Sequence, residues 1–136
     1  MSSLKTSSRP TGPVRGNSLD KGLFWVFTLD VKPGQFEAFK ELVAQIVAAT
    51  AQEPGTLAYQ YAASEDQNTV HIYERYRDSA AFVTHVEQTF GGFAERFLSF
   101  VSVRSLVVYG EPDATARKAL DSFNTTYMNL FDGFSR

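Results

Sequence analysis

Glu53-Pro54-Gly55-Thr56-Leu57-Ala58-Tyr59-Gln60-Tyr61, followed by Tyr73-Glu74-Arg75-Tyr76-Arg77-Asp78-Ser79-Ala80-Ala81-Phe82-Val83-Thr84-His85, is the stretch that decides the fold. Pro54-Gly55 stops the helix before it, because proline lacks an N–H and glycine suits a sharp reversal. The alternating tyrosines after it mark a strand. The second run is another strand, with Glu74 between Ile72 and Tyr76 on one face. Asp78 or Ser79 then caps a helix, its side-chain oxygen accepting an orphan N–H. Phe82, His85, Val86 and Thr89 share a face of that helix.

Upstream, Leu23-Phe24-Trp25-Val26-Phe27-Thr28-Leu29-Asp30-Val31 is β-branched and aromatic, and reads as a first strand. Both of its faces are largely apolar, which calls for cover on both sides. Lys32-Pro33-Gly34 opens a helix with Phe36, Phe39, Leu42, Val43, Ile46 and Val47 at helical spacing. Ser64 to Asn68 is a polar turn between the second strand (56–63) and the third (69–77). After Gly91-Gly92, Phe93, Phe97 and Phe100 continue an apolar stripe into a fourth strand, Ser102 to Tyr109. Strand–helix–strand–strand–helix–strand is the α+β, ferredoxin-like split βαβ order. Beyond Gly110, Pro112 to Phe123 predicts a short helix with Ala116, Ala119, Leu120 and Phe123 on one side. Tyr127, Leu130, Phe131 and Phe134 are expected to dock on the same barrel or on a partner's.

Three segments result: a flexible arm over 1–22, a core domain over 23–110 and a C-terminal extension over 111–136. The arm is rich in Ser, Pro and Gly and carries Lys5, Arg9, Arg15 and Lys21 against Asp20 alone. At 136 residues the chain is one domain, and its 43% hydrophobic content is ordinary, while 14% aromatic content points to a bulky core or an apolar cavity. A net charge of −2 gives no reason to expect nucleic acid. There is no cysteine, hence no disulfide or thiolate chemistry. No apolar run approaches the ~18 residues of a membrane span, and a cytoplasmic protein is expected.

The residues quoted above resemble those of the antibiotic biosynthesis monooxygenase family, and the resemblance extends from Leu23 to Gly110. It implies two ferredoxin-like sheets packed face to face as a homodimeric α+β barrel. It further implies oxidation of phenols or quinols by dioxygen without metal or flavin, the deprotonated substrate supplying the electrons. The protein's part is then a dry aromatic pocket, a base and a donor for the developing anion. The family places a histidine where His85 stands. The second histidine often found five residues on, after Thr-Pro, is replaced by Gln88-Thr89-Phe90.

His85 is accordingly the candidate general base, with Glu74 as the other acid–base group. Their plainer readings are a histidine bound to a backbone carbonyl and a glutamate paired with Arg75, Arg77 or Arg104. Trp25, Tyr59, Tyr61, Tyr73 and Tyr76 are candidates to line a pocket for a small aromatic substrate, with Arg104 to hold a phenolate or carboxylate. No cofactor fingerprint occurs, and two histidines on separate elements predict no metal site. A non-catalytic dimeric binding module on the same barrel is the alternative. A haem-degrading relative ranks lower, because the first strand has no asparagine.

Overall fold

The apolar run at Leu23 becomes the central strand of a five-stranded sheet. The computed structural model describes residues 22–136, so the leader read as a flexible arm lies, except for Gly22, outside the described residues. β1 (Leu23–Val31) pairs antiparallel with β3 (Thr69–Tyr76) on one side and β4 (Val101–Tyr109) on the other. β2 (Thr56–Ala63) joins β3 as a hairpin, and β5 (Thr125–Met128) runs parallel to β4. The order across the sheet is β2-β3-β1-β4-β5. The helices are α1 (Phe36–Thr50), α2 (Ser79–Thr84), α3 (Ala94–Phe100) and α4 (Ala114–Leu120). All four pack on the face that carries Leu23, Trp25, Phe27 and Leu29. The ferredoxin-like α+β order is therefore present, with one strand added at the edge.

Local chemistry explains the elements. In α1 the buried positions Phe39, Leu42, Ile46 and Thr50 recur every three or four residues, the spacing that keeps one face on the sheet. Asp78 caps α2 through Ala81 N and Asp113 caps α4 through Ala116 N, both at 2.9 Å. The β2–β3 turn is closed by Ser64 and Asp66 side chains, with Gln67 in the left-handed region at φ 63°.

The buried side chains form two clusters. Trp25, Tyr76, Phe82, Leu106, Ala116 and Leu120 belong to one; Leu29, Phe39, Ile46, Ile72, Phe97 and Val101 belong to the other. Phe27 packs against both and is itself only partly buried. The space it faces between them is where a cavity opens.

Among the described residues no helix lies on the opposite face of the sheet. Phe24 stacks on Tyr109 with centroids 4.9 Å apart, and the Arg75 guanidinium sits 5.2 Å over the Phe24 ring. Tyr73, Val26 and Val107 fill the same face, each half-buried. Among the described residues no helix is long and apolar enough to cross a membrane.

The C-terminal segment corrects the sequence reading twice. Thr125–Met128 is a strand that the sequence reading did not identify; four residues are too few for alternation to register as a pattern. Phe131 and Phe134, expected to dock on the same barrel or on a partner's, do not dock on this barrel: they are 96% and 76% exposed, because beyond Met128 the chain leaves the sheet. Arg136 lies over the Phe134 ring at 4.5 Å, a contact within the tail itself.

The extension is nevertheless part of the core through Ala116 and Leu120, both wholly buried against the Trp25 cluster. Ending the chain after Gly110 is expected to expose that cluster and to give aggregation, measured by light scattering of the purified fragment. Leu120→Ala should cost about 2–5 kcal/mol in urea unfolding, the usual range for a buried leucine. Replacing Phe131 and Phe134 by serine should leave the unfolding free energy of one protomer within about 0.5 kcal/mol.

Candidate active site

Assembly of the site begins at the turn after α1. Glu53 N donates to Thr50 O at 3.0 Å and Thr56 N to Glu53 O at 3.2 Å, so the turn is tightly wound. Gly55 sits at its tip, against α2. A Cβ on Gly55 would lie 2.6 Å from Ala81 Cβ, closer than two carbons can approach, so only glycine lets the turn seat there. This close approach brings Glu53 to α2. Thr56 Oγ1 donates to Glu53 Oε1 at 2.6 Å, and His85 Nδ1 is 3.1 Å from both carboxylate oxygens.

His85 is held from its own side by an irregular helix. After Thr84 the backbone widens into one π-helical turn, His85–Thr89, and then tightens into a 3₁₀ turn, Phe90–Gly92. Such π turns redirect side chains and recur at functional sites. The imidazole stacks near Phe90, with centroids 6.0 Å apart, and beside Tyr59 at 5.1 Å. His85 is 3% exposed. Burial holds it below the usual imidazole range, while Glu53 pulls it upward by charge and hydrogen bond without overcoming the burial. The ring is therefore neutral near pH 7. An ionised Glu53 can only accept, so the proton of that neutral ring belongs on Nδ1 and the lone pair on Nε2.

Glu74 is the second buried ionisable group, 4% exposed. Tyr76 Oη donates to its Oε1 at 2.7 Å. Desolvation pushes the carboxyl up to about 7; hydrogen bonding from Tyr76 and the pull of the Trp25 indole oppose this, and the Glu53 charge adds to it. The indole N–H meets no acceptor at hydrogen-bond geometry, so its effect on Glu74 is that of a nearby dipole. Tyr59 and Tyr61 share a hydrogen bond between their hydroxyls at 2.8 Å, and burial raises both phenols well above their usual range.

Tyr59, Glu74 and His85 meet at the wall of a cavity of about 260 Å³ between the sheet and the helices. Its remaining lining is apolar: Phe27, Leu29 and Ile72 from the sheet, Phe82, Val86, Phe90 and Gly91 from α2 and the turns after it, Ala94, Phe97 and Leu98 from α3, Val103 from β4, and Ala119, Leu120 and Phe123 from the extension. His85 Nε2 makes no hydrogen bond among the described residues, and it is the ring nitrogen left to this space. Three polar side chains thus line an otherwise apolar chamber.

The other residues singled out in the sequence lie elsewhere. Trp25 and Tyr76 stand behind the wall: Tyr76 supports Glu74, and Trp25 packs on Tyr76 and Phe82 at 5.1 and 4.7 Å. Tyr61 backs Tyr59. Tyr73 is on the opposite face of the sheet with Phe24, since strand alternation turns it away from Glu74. Arg104 does not reach the cavity. Its side chain is on the surface, where Nε donates to Asp30 Oδ1 at 3.2 Å and Nη2 bonds Asp30 and Thr69. The ion pair with Asp30 across β1–β4 outcompetes any turn inward. Glu74 makes none of the arginine pairs considered for it.

Glu53 is the side chain of the candidate site that the sequence reading passed over, although it stands in the quoted stretch. The signal was an acid just after a helix C-terminus, where the helix dipole disfavours negative charge. A carboxylate kept there calls for a partner, and the partner is His85. Among the described residues no three His, Asp or Glu side chains gather as a metal-binding group.

No curated protein matches the chain. Solved structures do. MupZ from Pseudomonas fluorescens superposes with a TM-score of 0.76 at 21% identity, over 86% of this chain and 96% of its own. SnoaB from Streptomyces nogalater, a cofactor-independent oxygenase, gives 0.59 at 18% identity over 69% and 96%. A conserved protein from Methanosarcina mazei gives 0.62 at 15% over 69% and 96%. At these identities the likeness is one of fold. The sequence profile described as antibiotic biosynthesis monooxygenase matches residues 23–90, half of the chain, and includes Glu53, Tyr59, Glu74 and His85. The chain belongs to the antibiotic biosynthesis monooxygenase family.

Proposed function

We propose that this protein is a cofactor-independent monooxygenase that oxidises a phenolic, quinol or polyketide-like aromatic with dioxygen. The observation that carries this reading is the buried Glu53–His85 pair at the wall of an apolar cavity. SnoaB, with the same fold, is a cofactor-independent oxygenase. The substrate's hydroxyl donates to His85 Nε2 and loses its proton to it. The imidazolium that forms is stabilised by Glu53 on the other nitrogen. Tyr59 and the protonated form of Glu74 hydrogen-bond the substrate oxygen as negative charge collects there. The electron-rich anion then reduces dioxygen directly. When a phenol becomes a quinone, one oxygen atom stays on the ring carbon. The other leaves as water with the hydrogens of the lost C–H and O–H.

We further propose that the active form is a homodimer paired through the helix-free sheet face. The Phe24, Tyr73, Val26, Val107 and Tyr109 side chains there make a half-buried apolar surface that no helix covers among the described residues. Light scattering at micromolar concentration is expected to give twice the protomer mass, and a stable monomer would exclude this assembly.

Oxygen uptake with quinols, polyphenols and anthrone-like compounds tests the activity. His85→Ala is expected to lower turnover by roughly 10²–10⁴, the usual contribution of a positioned base. Full activity in that variant, or no uptake with any such compound, would leave a binding module as the reading. Glu53→Gln removes the charge that raises His85, so the acid limb of the pH–rate profile should move to lower pH while the plateau falls. An unchanged limb would mean that Glu53 is only structural.

Glu74 gives a stability test. Between the ordinary glutamate range and about pH 7 the folded state keeps a proton that the unfolded state has released, so stability falls as pH rises. The loss is complete above the folded value and is on the order of 3 kcal/mol. Glu74→Gln lacks this titration. Its stability relative to the wild type should therefore increase from pH 4 to pH 8, as read from urea midpoints at each pH.

A further inference from the structure

Resting on the cavity assigned above, we propose that Phe123, in the C-terminal extension, is a specificity-determining residue: its ring closes the end of the chamber away from the polar side chains and sets how long a molecule fits. Tyr59 and Glu74 stand on β2 and β3, whereas Phe123 follows α4 and precedes β5, on the β4 side of the sheet. From β2 to β4 the sheet spans three strand spacings, about 14 Å. β1 runs between them, and its Phe27, which also lines the cavity, meets Phe123 edge to face with centroids 5.4 Å apart. A molecule held at the polar wall therefore extends over Phe27 toward Phe123.

The turn that carries Phe123 is bonded on both sides of it. Before it, the Leu120 carbonyl at the end of α4 accepts from the Thr125 hydroxyl. After it, Asn124 takes the left-handed conformation at φ 52°, which asparagine tolerates better than most residues, and its side-chain amide donates to the Arg104 carbonyl on β4 at 3.2 Å. Tyr127 ties β5 back to α4, donating from its hydroxyl to Asp121 while the Arg117 guanidinium lies 3.7 Å over its ring. The Phe123 ring is thereby a fixed wall and not a side chain on a free loop. Leu120, wholly buried, is committed to the core; Phe123 is only partly buried, so its size can change without emptying that core. It also stands outside residues 23–90, where the family profile matches, so the length limit belongs to the extension. Truncating a phenylalanine to alanine removes one six-membered ring from the wall, and the surroundings refill such a space only in part.

The test is fluorescence titration, without oxygen, of 2-naphthol and 2-anthrol, which share a hydroxyl head and differ in length by one fused ring. Burial of that added ring is worth roughly tenfold in affinity. The ratio of the 2-anthrol Kd to the 2-naphthol Kd is accordingly expected to fall at least tenfold in Phe123→Ala. In Phe123→Leu, which keeps the turn packed should the alanine variant not fold, it should fall at least threefold. An unaltered ratio in the folded variants, or binding of neither probe, overturns the inference. Oxygen uptake, measured separately, distinguishes it from the oxygenase reading. A lowered ratio with no uptake upholds the role of Phe123 and counts against oxidation, whereas uptake with an unaltered ratio leaves the oxygenase standing and removes Phe123 from its specificity.

Discussion

The contact between Gly55 and Ala81 is the constraint on which the site depends. The α1–β2 turn and α2 approach until a single methyl group on Gly55 would collide, and nothing larger than hydrogen fits. From that approach follow the Glu53–His85 hydrogen bonds, the fixed tautomer of the imidazole and the direction of its free nitrogen. Two elements distant in sequence are thereby set at hydrogen-bond range by backbone packing. Preorganisation of this kind lets a weak base act without first paying to be oriented.

The strand and helix order was legible in the chain because each element carries its own period: Phe39, Leu42 and Ile46 for α1, and Val70, Ile72, Glu74 and Tyr76 for β3. Glu74 and His85 were legible as buried polar groups because apolar neighbours flank them at the right spacing. What bonds to them was not, since Glu53 lies 32 residues from His85 and no spacing rule spans that separation. The side of the sheet taken by Tyr73 follows from alternation once Glu74 is placed inside. Arg104 was misplaced for a different reason: its position depends on Asp30, whose pairing across β1–β4 is a matter of register, and that register shifts at Thr28/Leu29.

The C-terminal extension shows how a small fold is completed at its edge. α4 closes the cavity with Ala119 and Leu120, Phe123 follows, and β5 then joins the sheet beside β4. Phe27, Phe82 and Phe97 alone would leave the chamber open on this side. The wall that shapes the ligand space therefore comes in part from beyond residue 90, where the family profile ends. In this chain that part of the wall and the Glu53–His85 pair are thus supplied by separate segments.

Trp25 is the single tryptophan of the sequence, wholly buried, with its ring 5.1 Å from that of Tyr76 and its N–H bonded to no acceptor. An indole is sensitive to its surroundings, and the ring it packs on, Tyr76, donates to the buried Glu74 carboxyl. The unlabelled protein thus carries one indole, set one ring away from Glu74, whose fluorescence is a built-in probe of that corner of the core.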